Sequence, residues 1–186
     1  MQTHSPNKTA IRPAHDALKV VVAVIAGPDG PLIATARTLP RWRRLTPLAL
    51  WATVSIRHAS RDEILRGLAA LLARQDVHAH QLILLAEGKA ARAALELALQ
   101  GTLDCAAILA IAVPCAALPF PIVPTAVAVR LVVDCEDASA DLITALRAAD
   151  IDARIIRLSP AANHDTRTAA SATETFVLEL VANASR

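Results

Sequence analysis

The stretch Gln81 to Gly101, QLILLAEGKAARAALELALQG, decides the fold. Gln81 to Leu85 is a short apolar run of the kind a buried strand needs. Lys89 to Gln100 is rich in strong helix formers and closes at Gly101, a natural C-cap residue. A buried strand feeding directly into a helix is half of a βαβ unit.

The same alternation continues in both directions. Upstream, Lys19 to Ala26 (KVVVAVIA) reads as a first strand that stops at the turn cluster Gly27-Pro28-Asp29-Gly30-Pro31. Pro31 to Leu50 is consistent with a short helix or a long loop. Trp51 to Arg57 reads as a second strand. Ser60 is placed to cap a helix running to about Gln75. Asp62 and Glu63 lie in its first turn, and Ile64, Leu65, Leu68, Leu71 and Leu72 recur at helical spacing. Downstream, Cys105 to Val113 and Ala126 to Val133 are strands four and five. Ser139 to Ala149 is a helix and Asp152 to Leu158 a sixth strand. A polar loop then leads to a last helix over about Ser171 to Ala184. The fold class is therefore α/β: a doubly wound, mainly parallel six-stranded sheet with helices on both faces.

Composition bounds what such a chain does. It has 186 residues, 54% hydrophobic and 19% charged, which suits one globular domain and excludes disorder throughout. We expect a disordered tail over residues 1–17 and a single domain over 18–186. A formal charge of +2 does not by itself imply a polyanion partner, and an aromatic content of 2% with no Tyr leaves no platform for stacking on nucleic-acid bases. No nucleic-acid partner is expected. Cys105, Cys115 and Cys135 are an odd number of thiols beside apolar runs. They read as reduced, small buried hydrophobes of a cytoplasmic protein. Met1 to Ala17 has no apolar core of a secretion signal. Cys105 to Val129 carries no charge, but Pro114, Pro119, Pro121 and Pro124 break any membrane-spanning helix, so no membrane partner is expected.

With these elements in place, the chain resembles the α/β-hydrolase family over about Lys19 to Ala184. It is most similar to the small cap-less carboxylesterases of the acyl-protein thioesterase and dienelactone hydrolase kind. The antiparallel hairpin that usually opens that fold has no counterpart. Three marks carry the resemblance. Strand one ends at Gly27-Pro28-Asp29-Gly30, where the family has its oxyanion loop, with Ala26 in place of the usual His. Leu85 to Leu95 matches the strand–elbow–helix motif G-x-S-x-G. Leu131 to Asp137, and then Asp152 to His164, match the strand ends that deliver the acid and the histidine, in the family's chain order.

The resemblance implies a spatial strand order of 2-1-3-4-5-6. It makes Asp137 and His164 the acid and base, Gly27 and Asp29 oxyanion-loop or ligand-binding residues, and Gly88 the nucleophile position. Glycine has no attacking atom, and Ala86 and Ala90 replace the flanking glycines, so the elbow is expected to relax into an ordinary turn. Shifting the register by one offers Glu87 as a carboxylate nucleophile. Lys89, beside the backbone N–H groups that open the helix, is a candidate anion ligand.

Other constellations are weaker. His78-x-His80 lacks a Cys or carboxylate cluster and reads as exposed; no metal and no cofactor is expected. Gly88-Lys89 is no P-loop, because the earlier glycine is Ile83 and the following hydroxyl residue is Ala90. Arg37, Arg41, Arg43 and Arg44 form a basic cluster around Trp42, either a grip for an acidic or phosphate group or a solvated segment with the indole on the core. The Pro-rich Ala116 to Pro124 is a candidate homodimer or partner contact, or a segment tucked over the sheet. The leading expectation is a hydrolase-like protein without the serine nucleophile that binds a small molecule or a protein partner. The alternatives are an ester or thioester hydrolase with a non-standard nucleophile, and a structural or assembly subunit.

Overall fold

The computed structural model describes residues 19–27, 37–114, 116–133, 140–158 and 166–185. Six strands, β1 (Val20–Ala26), β2 (Ala49–Ser55), β3 (Leu82–Glu87), β4 (Ala107–Ile111), β5 (Ala128–Val133) and β6 (Ala153–Arg157), form one sheet in the order β2-β1-β3-β4-β5-β6. Every pairing is parallel. Order and class are those the sequence and its resemblance imply.

Among the described residues, five α-helices cover the sheet: α1 (Thr38–Leu45), α2 (Arg61–Gln75), α3 (Gly88–Leu99), α4 (Ala140–Ala148) and α5 (Thr166–Ala184). Side chains alternate along each strand, and this sorts the core into two clusters. Val21, Ala23, Leu82, Leu84, Ile108 and Leu131 face α2, α3 and α4. Val22, Val24, Ile83, Leu85 and Leu109 face Trp42 of α1 and Phe176, Val177, Leu180 and Val181 of α5.

The ambiguous segment before residue 50 contains a helix. Pro40 is tolerated because it falls in the first turn of α1, where backbone N–H groups have no intrahelical partner. Trp42 folds onto the core at 1% exposure. Thr46 then closes the helix, its backbone N–H and its hydroxyl both donating to the Trp42 carbonyl. Thr46 also starts β2 two residues earlier than periodicity suggests, by accepting from the Ala49 N–H and, at its hydroxyl, from the Trp51 indole. Ser60 caps α2 as expected, accepting from the Glu63 N–H at 3.3 Å. α5 begins at Thr166, earlier than Ser171, because Ala169 is already buried against the sheet.

The connection from β4 to β5 has no helix among its described residues. Its prolines forbid one. Leu118, Phe120 and Ile122 tuck partly into the α2–α3 side of the core, and the Val123 N–H bonds to the Leu99 carbonyl at the far end of α3. Only the first part of this segment lies at the end of the sheet where β4 stops. Its apolar residues are thus partly absorbed by the fold. Among the described residues, no helix is long and apolar enough to cross a membrane.

Candidate functional site

In a parallel sheet, ligands bind beyond the carboxyl ends of the strands. β3 is buried along almost its whole length and ends in Glu87, which is extended at φ −127° and ψ 147°. Gly88 follows at φ +58°, and α3 starts at once. The expectation of a relaxed turn is corrected here: the chain makes a left-handed elbow between β3 and α3. Glycine adopts that conformation without the steric penalty that a Cβ carries, so the alanines on either side need not supply it. Among the described residues, a Cβ on Gly88 would meet nothing within 4 Å. The described residues therefore leave the space before the elbow open.

Gly27 ends the described part of β1's loop beside this elbow. A Cβ placed on it would lie 4.0 Å from the Cβ of Ala90, in the first turn of α3. Gly27 thus lies beside the start of α3, near Gly88. Glu87 is half-buried and engaged with a partner, and Lys89 is exposed. β5 and β6 end at the same edge, where the Leu158 N–H bonds to the Val133 carbonyl at 2.9 Å. Asp137 and His164 follow those strands in sequence. Both lie outside the described residues, as do Asp29, Cys115 and Cys135.

Two site features escape sequence reasoning. Ala112, just past β4, has φ +49°, and its N–H bonds to the Val132 carbonyl at 2.9 Å. The other non-glycine residues with positive φ, Asp76 and Asp150, sit just past helix ends, where Asp is tolerated. An alanine there carries about 1–2 kcal/mol of strain, and strain of this kind gathers at functional sites. Because Glu87 pairs with Ile111, Ala112 lies next to the elbow. The second is Arg92, one turn along α3 from Gly88. It donates to the carbonyls of Pro114, Ala116 and Ala117, fixing the exit of β4 beside the elbow helix. Its Nε holds Glu96 at 2.7 Å, and Arg61 reaches the same carboxylate. Burial raises the Glu96 pKa, but the two guanidinium partners outweigh it and hold the carboxyl below its ordinary value.

Cys105 is not a substitute nucleophile. It precedes β4, at the opposite edge of the sheet, and burial together with the Asp104 charge pushes its thiol up to about 12. His78 and His80 are exposed and stacked, ring centroids 5.4 Å apart. Among the described residues no group of three His, Cys, Asp or Glu side chains is placed to hold a metal.

No protein-family model and no curated protein sequence matches the chain. Solved structures do. Esterase PE8 superposes with a TM-score of 0.66 at 18% identity, covering 88% of this chain and 94% of that one. YahD, solved with malic acid, gives 0.66 at 15% identity over 89% and 95%. FphF, a fluorophosphonate-binding serine hydrolase of Staphylococcus aureus, gives 0.64 at 9% identity over 95% and 89%. These likenesses, with the strand order, establish an α/β-hydrolase fold.

Proposed function

We propose that the protein takes a carboxylic ester or thioester at the carboxyl edge of its sheet, with the acyl carbon above Gly88, and holds it without a serine nucleophile. One observation carries this reading: the residue in the left-handed elbow between β3 and α3 is a glycine, and the described residues leave the space before it open. Such an elbow presents its residue to the site, and backbone N–H groups at the start of α3 face a bound carbonyl or anion. Asp137 and His164 are assigned as acid and base of an inherited pair, Gly27 and Asp29 as the loop facing the bound oxygen, and Lys89 as a charge at the rim.

A second reading is hydrolysis by a non-standard nucleophile, and the esterases and serine hydrolases among the structural neighbours favour turnover over a silent site. Glu87 is then the residue to test. Its carboxylate attacks the acyl carbon, the thiolate leaves, and water opens the resulting anhydride. A thioester suits this route better than an ester, because thiolate is the better leaving group.

The experiment measures hydrolysis of p-nitrophenyl butyrate and of a butyryl thioester by the wild type, Glu87→Gln and Gly88→Ser. Binding without turnover predicts a silent wild type and a gain of ester hydrolysis in Gly88→Ser. Hydrolysis through Glu87 predicts an active wild type that loses at least about a hundredfold in Glu87→Gln. Activity that survives Glu87→Gln unchanged overturns both.

A further inference from the structure

β2 lies at one edge of the sheet, with β1 on one side and no strand on the other among the described residues. The Ile56 N–H bonds to the Ala26 carbonyl, so the even-numbered residues here turn their backbone groups toward β1. Trp51, Thr53 and Ser55 turn theirs outward. Such a row of N–H and C=O groups is a template for pairing with another chain. The two edges of the sheet differ in how they meet this hazard. β6 carries Arg154 and Arg157, exposed charged residues of the kind that guard an edge. From Leu45 to Ile56, by contrast, no side chain is charged. β2 holds its register with β1 from Ala49 to Ser55 without a bulge or a proline. Just before it and within it, Leu48 and Leu50 are 73% and 40% exposed.

We propose that β2 pairs antiparallel with β2 of a second copy of this chain, joining two six-stranded sheets into one. The backbone groups choose the register. A two-fold axis at Thr53 sets Thr53 opposite Thr53 of the partner subunit and Trp51 opposite Ser55 of the partner subunit. These become the hydrogen-bonded positions of the ladder, so every outward group of the three residues finds a partner. An axis at Trp51 instead sets Ser55 opposite Pro47 of the partner subunit, which has no N–H, and calls on Ala49, whose N–H already bonds the Thr46 carbonyl. On the α2 side the Thr53 register lays Leu50 against Ile56 of the partner subunit and Ala52 against Val54 of the partner subunit, so an exposed leucine gains an apolar neighbour. Arg57 falls opposite Ala49 of the partner subunit, and no like charges meet. Both helix layers reach this edge: α2 lies on Val54 through Gly67, and Trp42 of α1 sits 6.2 Å from Trp51 between ring centroids. With a helix about 10 Å across on either face the edge is roughly 25 Å deep, and seven residues of strand are about 23 Å long. The contact is thus about 600 Å² per partner, somewhat under the ~800 Å² of a standard interface, which suits a reversible dimer. The two-fold closes on itself and leaves β6 outside the contact. β1 separates β2 from β3, so the proposal is independent of the reaction at Gly88.

The test is sedimentation velocity of the full chain over a concentration series. The wild type is expected to pass from monomer to dimer at about 1–100 μM. Thr53 is exposed and its N–H faces away from β1, so Thr53→Pro takes a donor from the contact and none from the sheet. Thr53→Lys and Thr53→Glu each set like charges opposite one another across the axis. All three variants are expected to keep the wild-type circular dichroism and to weaken dimerisation at least about tenfold. An equimolar mixture of Thr53→Lys and Thr53→Glu is expected to dimerise again, because opposite charges then face each other, a rescue that a folding defect does not give. A wild type that stays monomeric throughout, as when another segment of this chain covers the edge, overturns the proposal. So does a dimer that survives Thr53→Pro and Thr53→Lys, or a mixture that stays monomeric.

Discussion

Arg130 on β5 and Glu179 on α5 form an ion pair of 2.7 Å in which the arginine is 1% exposed. Arg130 also donates to the Val129 and Asp152 carbonyls at 3.0 Å each and to the Asp152 carboxylate at 3.1 Å. Burial opposes its charge, but Glu179 and Asp152 outweigh that and hold its pKa above the ordinary value. Removing Glu179 leaves the buried guanidinium only the exposed Asp152 carboxylate, a cost toward the lower end of the roughly 3–5 kcal/mol for breaking a buried pair. Glu179→Ala is expected to lower the unfolding free energy by about 3 kcal/mol in urea titration. The double change Arg130→Met/Glu179→Leu should recover most of it, because two apolar side chains leave no charge to strand.

Thr173 presents the opposite case. It is fully buried on α5, and its hydroxyl has no hydrogen-bond partner among the described residues. A hydroxyl buried without a partner costs about 1–3 kcal/mol. Thr173→Val keeps the shape and removes that cost. Stability should rise by about 1 kcal/mol, read as an increase of roughly 2–4 °C in Tm.

Gly67 lets α2 lie close on β2. A Cβ there would fall 2.4 Å from the Cγ1 of Val54. Alanine gains ~1 kcal/mol of helix propensity over glycine, whereas overpacking costs ~1–3 kcal/mol, and β-branched Val54 has little rotamer freedom to retreat. Gly67→Ala should therefore destabilise in the wild type. In a Val54→Ala background the same substitution should stabilise, a reversal of sign that denaturant titration of the double-mutant cycle detects.

Glu96 makes stability depend on pH. Its carboxyl, held low by Arg92 and Arg61 against the effect of burial, releases its proton more readily folded than unfolded. The stabilisation is present in full above the ordinary glutamate value of about 4.3 and is lost as pH falls through the lower folded value. Wild type should exceed Glu96→Gln in Tm at neutral pH. The gap should narrow below that value and close once the pH lies below the lowered folded value. A gap that is constant with pH contradicts the network.

Much of this was legible from residue patterns, for identifiable reasons. Contiguous Val, Ile and Leu runs such as Lys19 to Ala26 mark strands buried on both faces. Ser60 with Asp62 and Glu63 marks a helix start, since capping and the helix dipole act within a few residues. The strand order came through resemblance. What stayed hidden depends on contacts distant in sequence. Arg92 has no local sign of its role, because the carbonyls it binds lie 22 to 25 residues away. The conformation of Gly88 was not legible because glycine enters right- and left-handed regions with equal ease. Nor did anything near Ala112 announce positive φ, since alanine in an apolar run is ordinary strand composition.

The room that the described residues leave before Gly88 also bears on descent. Two of the four glycine codons lie a single base from a serine codon, and a newcomer Cβ at this position would meet no described neighbour. Its strain, about 1–2 kcal/mol for an L-residue in the left-handed region, is small beside the roughly 5–15 kcal/mol that holds an ordinary domain folded. From either of those codons, a lineage carrying this backbone crosses between an unarmed and an armed state in one mutational step.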